Sequence, residues 1–258
     1  MNNKTTCHDG HRARMLQKFK KLGGQEFGSH ELFEMFLFFS IPRVNTNETA
    51  HKLLDRFGSV RGVIDASIEE LCTVDGIGEK SAMIIKIAAE LYSRCMLEEA
   101  DKSKNFTTYT QVAKYLSALY LGASKEIIYL LVFSNSMRLI AAEKLEEGNS
   151  NSALLNSEKI LRCANSYNST NIILAHNHPG GRAIPSGEDM KATGMIRNFV
   201  AAFGINLIEH FVVADGKCTP IIHGSRDNPT KEFEASVKAI LRSEDIKLDG
   251  IENLVVEI

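Results

Sequence analysis

The sequence predicts an α+β (α/β) protein in two parts: an all-helical N-terminal domain, then a mixed-sheet domain. Three observations carry this. Apolar residues recur at helical spacing up to about residue 100. The hydrophilic stretch Glu98-Glu99-Ala100-Asp101-Lys102-Ser103-Lys104-Asn105 then reads as a linker. Beyond it, apolar runs of strand length alternate with helical ones, the pattern of a sheet with helices packed on it. The expected division is 1–100 for the helical domain, 101–108 for the linker, 109–225 for the sheet domain and 226–258 for a C-terminal tail.

Each element has its own signal. Leu32 to Phe39 is an apolar helix ended by Pro42, which cannot continue a helical hydrogen-bond ladder. Thr49 to Phe57 is a second helix, stopped by Gly58. Ile68 to Leu71 is a short helix and Lys80 to Met96 a long one. Glu126 heads the run Ile127 to Phe133, a buried strand with one acid at its rim. Ile172 to Ala175 is another buried strand, running on through His176-Asn177-His178 and ended by Pro179. Gly187 to about Phe203 is helical, with Met190, Met195, Ile196, Phe199 and Val200 as its apolar face. Ile208 to Phe211 belongs to a late strand, Phe233 to Leu241 to a helix, and Leu254-Val255-Val256 to a short strand or a partner-binding end.

Composition narrows the classes. The formal net charge is −2, so no chain-wide basic field points to nucleic acid. Acids and bases balance over residues 1–104, and only Lys4 to Lys21 is locally basic. No run of 18 apolar residues is present, so no spanning helix and no membrane partner are expected. The segment MNNKTTCHDGHRARM lacks the apolar core of a secretory signal. Cys7, Cys72, Cys95, Cys163 and Cys218 are scattered and odd in number, without a CxxC pair. They read as reduced thiols of a cytoplasmic protein, not as a disulfide frame or second zinc site.

The richest stretch is His176-Asn177-His178-Pro179, followed by Pro185-Ser186-Gly187-Glu188-Asp189. Side chains on a strand alternate faces, so His176 and His178 point one way and Asn177 the other. With Asp189 one turn into the next helix, they supply three ligands for one Zn2+ per chain. Three protein ligands leave a fourth tetrahedral position open, the catalytic arrangement. A plainer reading stands beside this: Ser186 and Asp189 have capping-box spacing with no metal involved, and paired histidines on a strand are often polar surface.

These residues resemble the JAMM (MPN+) metallopeptidase motif, in which an upstream glutamate precedes HxHP, a seven-residue gap, Ser, two residues and Asp. Here Pro179 to Pro185 form the gap. The wording HNHPGGRAIPSGED is similar to the RadC branch (the UPF0758-like, "DNA repair protein RadC" family), with Gly180 in place of its serine and Arg182-Ala183-Ile184 in place of a more polar stretch. The resemblance implies a cytidine-deaminase-like JAMM/MPN domain, with zinc held by His176, His178 and Asp189. It also implies a metallopeptidase or isopeptidase activity on a peptide or isopeptide substrate, with water activated by zinc. Glu126 takes the general-base position, although by itself it also reads as a solvated strand-end acid. Glu143, Glu146 and Glu147 are the competing acids. Ser186 is assigned to the oxyanion of the intermediate, to helix capping, or to both. A reading in which His210 is a fourth ligand would close the site; the resemblance gives the late-strand acid–histidine pair no such role.

The helical part has its own motif. Leu71-Cys72-Thr73-Val74-Asp75-Gly76-Ile77-Gly78-Glu79-Lys80 resembles a helix-hairpin-helix with VDGIG as the hairpin. The amides of Gly76 and Gly78, with Lys80 and Lys86 on the next helix, would meet a DNA phosphate without reading sequence. The same turn can serve packing alone. Three function classes follow: a zinc hydrolase, a DNA-associated repair or recombination factor, and an idle scaffold. The intact ligand set argues against the scaffold.

Overall fold

A computed structural model describes residues 7–42, 44–101, 105–148, 157–224 and 226–243. Leu254-Val255-Val256 lies outside them. The chain forms two compact units, one up to Ser93 and one from Arg94.

The first unit is helical: α1 (Cys7–Leu22), α2 (Ser29–Leu37), α3 (Asn47–Phe57), α4 (Val60–Asp65), α5 (Ile68–Leu71) and the start of α6 (Glu79–Asp101). Its core joins Phe33 and Leu37, Leu53, Val63, Leu71, and Ala82 and Ile85. Gly58 ends α3 in the left-handed region at φ 75°, a conformation that glycine adopts without steric cost. Ser67 and Glu70 close a capping box on α5. The helix α6 runs through Glu98, Glu99 and Ala100, so this hydrophilic stretch is helical instead of a linker up to Asp101. Ala100 is buried, and Leu97 packs beside it.

The second unit has a five-stranded sheet of order β2-β1-β3-β4-β5. Its strands are β1 (Ile127–Phe133), β2 (Leu139–Glu147), β3 (Asn171–Asn177), β4 (Asn206–Ala214) and β5 (Lys217–Pro220). All neighbours are antiparallel except β3 and β4, which are parallel and need a crossover. That crossover is α9 (Gly187–Ala201), while α7 (Tyr109–Leu119), α8 (Ser157–Ser166) and α10 (Pro229–Ser243) complete the unit.

The pleat sorts side chains to two cores. Leu131, Phe133, Ile173, Ala175, Phe211 and Val213 pack with α7 and α10. Ile128, Leu130, Val132, Ile172 and Leu174 pack with α8 and α9. Phe233, Val237 and Leu241 of α10 are buried in the first of these, so this part of the expected tail completes the domain core. On α9 the buried face is Thr193, Ile196 and Val200. Met190 and Met195, expected on that face, are more than half exposed: Met195 flanks the buried stripe, and Met190 stands in the first turn.

One irregularity matters. Ile172 pairs with Leu207 and Ile173 with Glu209, so Ile208 is an extra residue in β4. Such a bulge reverses the facing of everything after it. Glu209 therefore shares a face with Ile173, and His210 shares one with Leu174. The carboxylate of Glu209 is fully buried. It accepts from the backbone N–H groups of His210, Ile221, Ile222 and His223 and pairs with His223 Nδ1 at 2.8 Å. His223 Nε2 meets Ser236 Oγ on α10 at 3.1 Å. One acid thus holds the segment after β5 and ties it to α10.

Two outcomes are expected. Glu209→Ala should cost about 3–5 kcal/mol in urea unfolding, because several buried donors lose their acceptor. Tyr109 Oη donates to the Cys218 carbonyl, and burial first, then the nearby Cys218 and Glu209, push its pKa up to about 12. A raised folded-state pKa gives a contribution fully present below pH 10 and lost as pH rises towards 12. Tyr109→Phe should therefore flatten the alkaline limb of a stability–pH curve.

Candidate metal centre

The strand β3 is buried along its whole length. His176 continues the face of Ile172 and Leu174, towards α9. His178 follows the strand, with its backbone N–H donating to the Val213 carbonyl at 2.9 Å. Gly180 turns the chain at φ 66°. The Thr219 hydroxyl of β5 donates to the Ala183 carbonyl and pins the loop. Ser186 then opens α9 in a capping box with Asp189, which lies in the first turn, where the helix dipole favours a carboxylate.

Three ligating side chains meet here. His176 Nε2 lies 3.1 Å from His178 Nε2 and 3.4 Å from Asp189 Oδ1, and His178 Nε2 lies 3.8 Å from Asp189 Oδ2. Tetrahedral zinc, with bonds of about 2.0–2.1 Å, sets its ligand atoms about 3.3 Å apart. The residues fit the ion in spacing and in donor type. His178 Nδ1 faces the Arg182 carbonyl at 3.2 Å; a carbonyl only accepts, so Nδ1 carries the proton and Nε2 presents a lone pair. Asp189 Oδ2 accepts from Ser186 N and Ser186 Oγ, each at 2.7 Å. Oδ1 is left facing His176. Burial alone raises the Asp189 carboxyl; the nearby His176 and the hydrogen bonds from Ser186 outweigh it and hold the group well below the usual carboxylate range. Asp189 is therefore a capping residue and a member of the cluster at once. The hydroxyl proton of Ser186 is committed to it.

Ile128 lies opposite His176 in the ladder. Two residues earlier, Glu126 immediately precedes β1 and is half-buried. Among the competing acids, Glu143 accepts from the Tyr167 hydroxyl and Glu147 pairs with Lys144. Asn177, between the two histidines, has a task that the sequence reading missed. Its Oδ1 accepts from Ile127 N at 2.7 Å, and its Nδ2 donates to the Lys125 carbonyl at 3.0 Å. It grips the backbone on both sides of Glu126. An amide on the buried face of a strand was the available signal.

His210 is not a fourth member of the group. Its Nε2 faces His176 Nδ1 at 2.8 Å, and its Nδ1 faces Thr193 Oγ1 at 2.6 Å. Both nitrogens are engaged away from the ligand atoms. Burial pushes its pKa well down, helped by the proximity of His176.

In the helical unit Gly76, Gly78 and Lys80 are exposed on one turn, while Val74 and Ile77 point inward. Gly76 sits at φ +89°, and a Cβ there would lie 2.7 Å from Thr49 Oγ1. Lys86 is not available to a phosphate as expected: its Nζ donates to the carbonyls of Ile64 and Ala66, at the end of α4.

Residues 106–224 match the RadC-like JAB domain family, and residues 35–87 match a helix-hairpin-helix motif. The class is thus a JAB-domain protein with a helix-hairpin-helix region ahead of the sheet. A UPF0758 protein of Aliivibrio salmonicida is 31% identical over 80% of this chain and 92% of its own length. UPF0758 proteins of Vibrio cholerae and Fusobacterium nucleatum are each 32% identical, over 80% of this chain and 90% and 92% of theirs. The chain belongs to the UPF0758, RadC-type family. No described helix is long and apolar enough to cross a membrane.

Asn177→Ala should lower stability by about 1–3 kcal/mol, since it removes two part-buried hydrogen bonds worth about 0.5–1.5 kcal/mol each. A fall in Tm with an unchanged far-UV spectrum is the expected result.

Proposed function

We propose that the chain is a zinc-dependent hydrolase of JAMM type, acting on a peptide or isopeptide bond. One observation carries this: two imidazole Nε2 atoms and a carboxylate oxygen converge at close to tetrahedral spacing. His176, His178 and Asp189 would hold the ion. When bound, zinc supplies Lewis acidity and a water of lowered pKa. Glu126 is the general base, held in place by the Asn177 grip on its neighbours. It takes a proton as the carbonyl is attacked and returns it to the departing amine. Ser186 first holds Asp189; to serve the oxyanion as well, its hydroxyl would have to leave Oδ2.

Elemental analysis should find about one zinc per chain, absent from His176→Ala/His178→Ala. Stoichiometric zinc in that variant would sink the assignment. Glu126→Gln should keep the metal and lose hydrolysis of a peptide or isopeptide library by roughly 100-fold or more.

A second reading, nonspecific DNA binding, rests on the helix-hairpin-helix match and on the exposed Gly76–Lys80 turn at the start of α6. Asp75, also exposed there and paired with Lys52, opposes a phosphate, so the contact is weak. With Lys86 occupied, Lys80 is the lysine left on this helix start. Lys80→Ala should reduce the log–log salt slope of duplex binding by about one unit in an anisotropy titration.

A further inference from the structure

The histidine that leaves the ligand group defines a second layer. We propose that His210 and Thr193 are positioning residues that fix the tautomer of His176, a role that rests on the zinc reading above. Four groups lie in a row: His176 Nδ1 to His210 Nε2 at 2.8 Å, His210 Nδ1 to Thr193 Oγ1 at 2.6 Å, and Thr193 Oγ1 to the Asp189 carbonyl at 2.6 Å.

With every contact in this row a hydrogen bond, the protons run one way. The Asp189 carbonyl accepts and cannot donate, so the single hydroxyl proton of Thr193 goes to it. Thr193 then accepts from His210 Nδ1–H. A neutral His210 thereby presents Nε2 as an acceptor and takes the Nδ1–H of His176. That leaves His176 Nε2 bare, facing His178 and Asp189. Read from the other end the result is the same. A metal on His176 Nε2 requires Nδ1–H, which requires an acceptor at His210.

The row begins on His176 and ends on Asp189, whose carboxylate faces His176 again. Asp189 offers its carboxylate to the centre and its backbone carbonyl to the relay that orients His176. Thr193 lies one helical turn after Asp189, so α9 sets both distances together. His176, Thr193 and His210 are all buried, which excludes water as a substitute partner. His178 obtains the same tautomer from the Arg182 carbonyl. The two ligand histidines are thus oriented by different means, one through a buried relay and one through a loop carbonyl.

The test is zinc affinity of the full chain, measured by chelator competition. It is joined to ring-nitrogen NMR of 15N-histidine protein without metal, which reports which nitrogen of His176 carries the proton. Thr193→Val removes the relay hydroxyl at constant shape, and Thr193→Ser restores it. His210→Phe removes the acceptor, and His210→Gln returns an acceptor and a donor. Thr193→Val and His210→Phe should each bind zinc about 10- to 100-fold more weakly. His176 should lose its fixed Nδ1–H signature in both. Thr193→Ser should recover most of the affinity, which a merely structural effect at this position would not produce. If His210→Phe fails to fold, the Thr193 pair decides alone. Wild-type zinc affinity in Thr193→Val, with an unchanged tautomer, overturns the relay and leaves the proposed function intact. A wild-type chain that takes up no zinc overturns the proposed function, and this role with it.

Discussion

The parallel pairing of β3 and β4 is the constraint from which the centre follows. Parallel neighbours cannot be joined by a tight turn, so the chain must cross over, and here it does so through α9. After β3 the loop 178–186 brings the start of the helix back to the end of the strand. The first helical turn, with free N–H groups and the positive end of the helix dipole, therefore faces the last histidines of the strand. A carboxylate in that turn is stabilised by the helix and brought among the imidazoles by the same geometry. The pairing also lays His210 beside His176, because the two strands run in the same direction and Leu174 is level with His210.

The strand β4 carries its buried polar groups in satisfied sets on both faces, whereas the hydroxyl of Tyr120 in the same unit is buried without a partner among the described residues. On one face of β4, Glu209 collects four backbone donors and an imidazole. On the other, His210 joins Thr193 and His176. Buried polar atoms are tolerable when each has a partner, and in low dielectric such chains strengthen their members. Glu209 and His210 are consecutive in sequence yet serve opposite sides of the sheet, one binding the domain together and the other facing the His176 side of the cluster.

Much of the centre was legible in the sequence because its signals are local. Alternation puts His176 and His178 on one face, and serine-to-acid spacing puts Asp189 in a first turn. The JAMM-like spacing ties these together. What was not legible depends on contacts between distant segments. His210 drew notice only as a possible ligand, because its partners come from β3 and α9. Asn177 was read as merely facing away; its grip on residues 125 and 127 needs β1 alongside. Met190 and Met195 keep helical spacing, but only packing decides how wide a stripe the sheet covers. Glu98 and Glu99 are hydrophilic and still helical, since Leu97 and Ala100 supply buried contacts on the other side of the turn. α1 and α4 carry weaker apolar periodicity, and α4 contains Gly62, which lowers helical propensity.

The extra residue in β4 also sets which lengths this strand can have. Leu207 and His210 stand on the same face although an odd number of positions separates them, because Ile208 is outside the pairing. Loss of Ile208 alone would leave Leu207 opposite Ile172 and Glu209 opposite Ile173, with both polar sets in place. Loss of one residue from the regular stretch after it would turn the remainder over, sending an imidazole into the α10 side or a carboxylate towards the histidines. Shortening by one thus keeps both polar sets at a single address in β4, at the cost of the buried Ile208 side chain, and breaks them at the next.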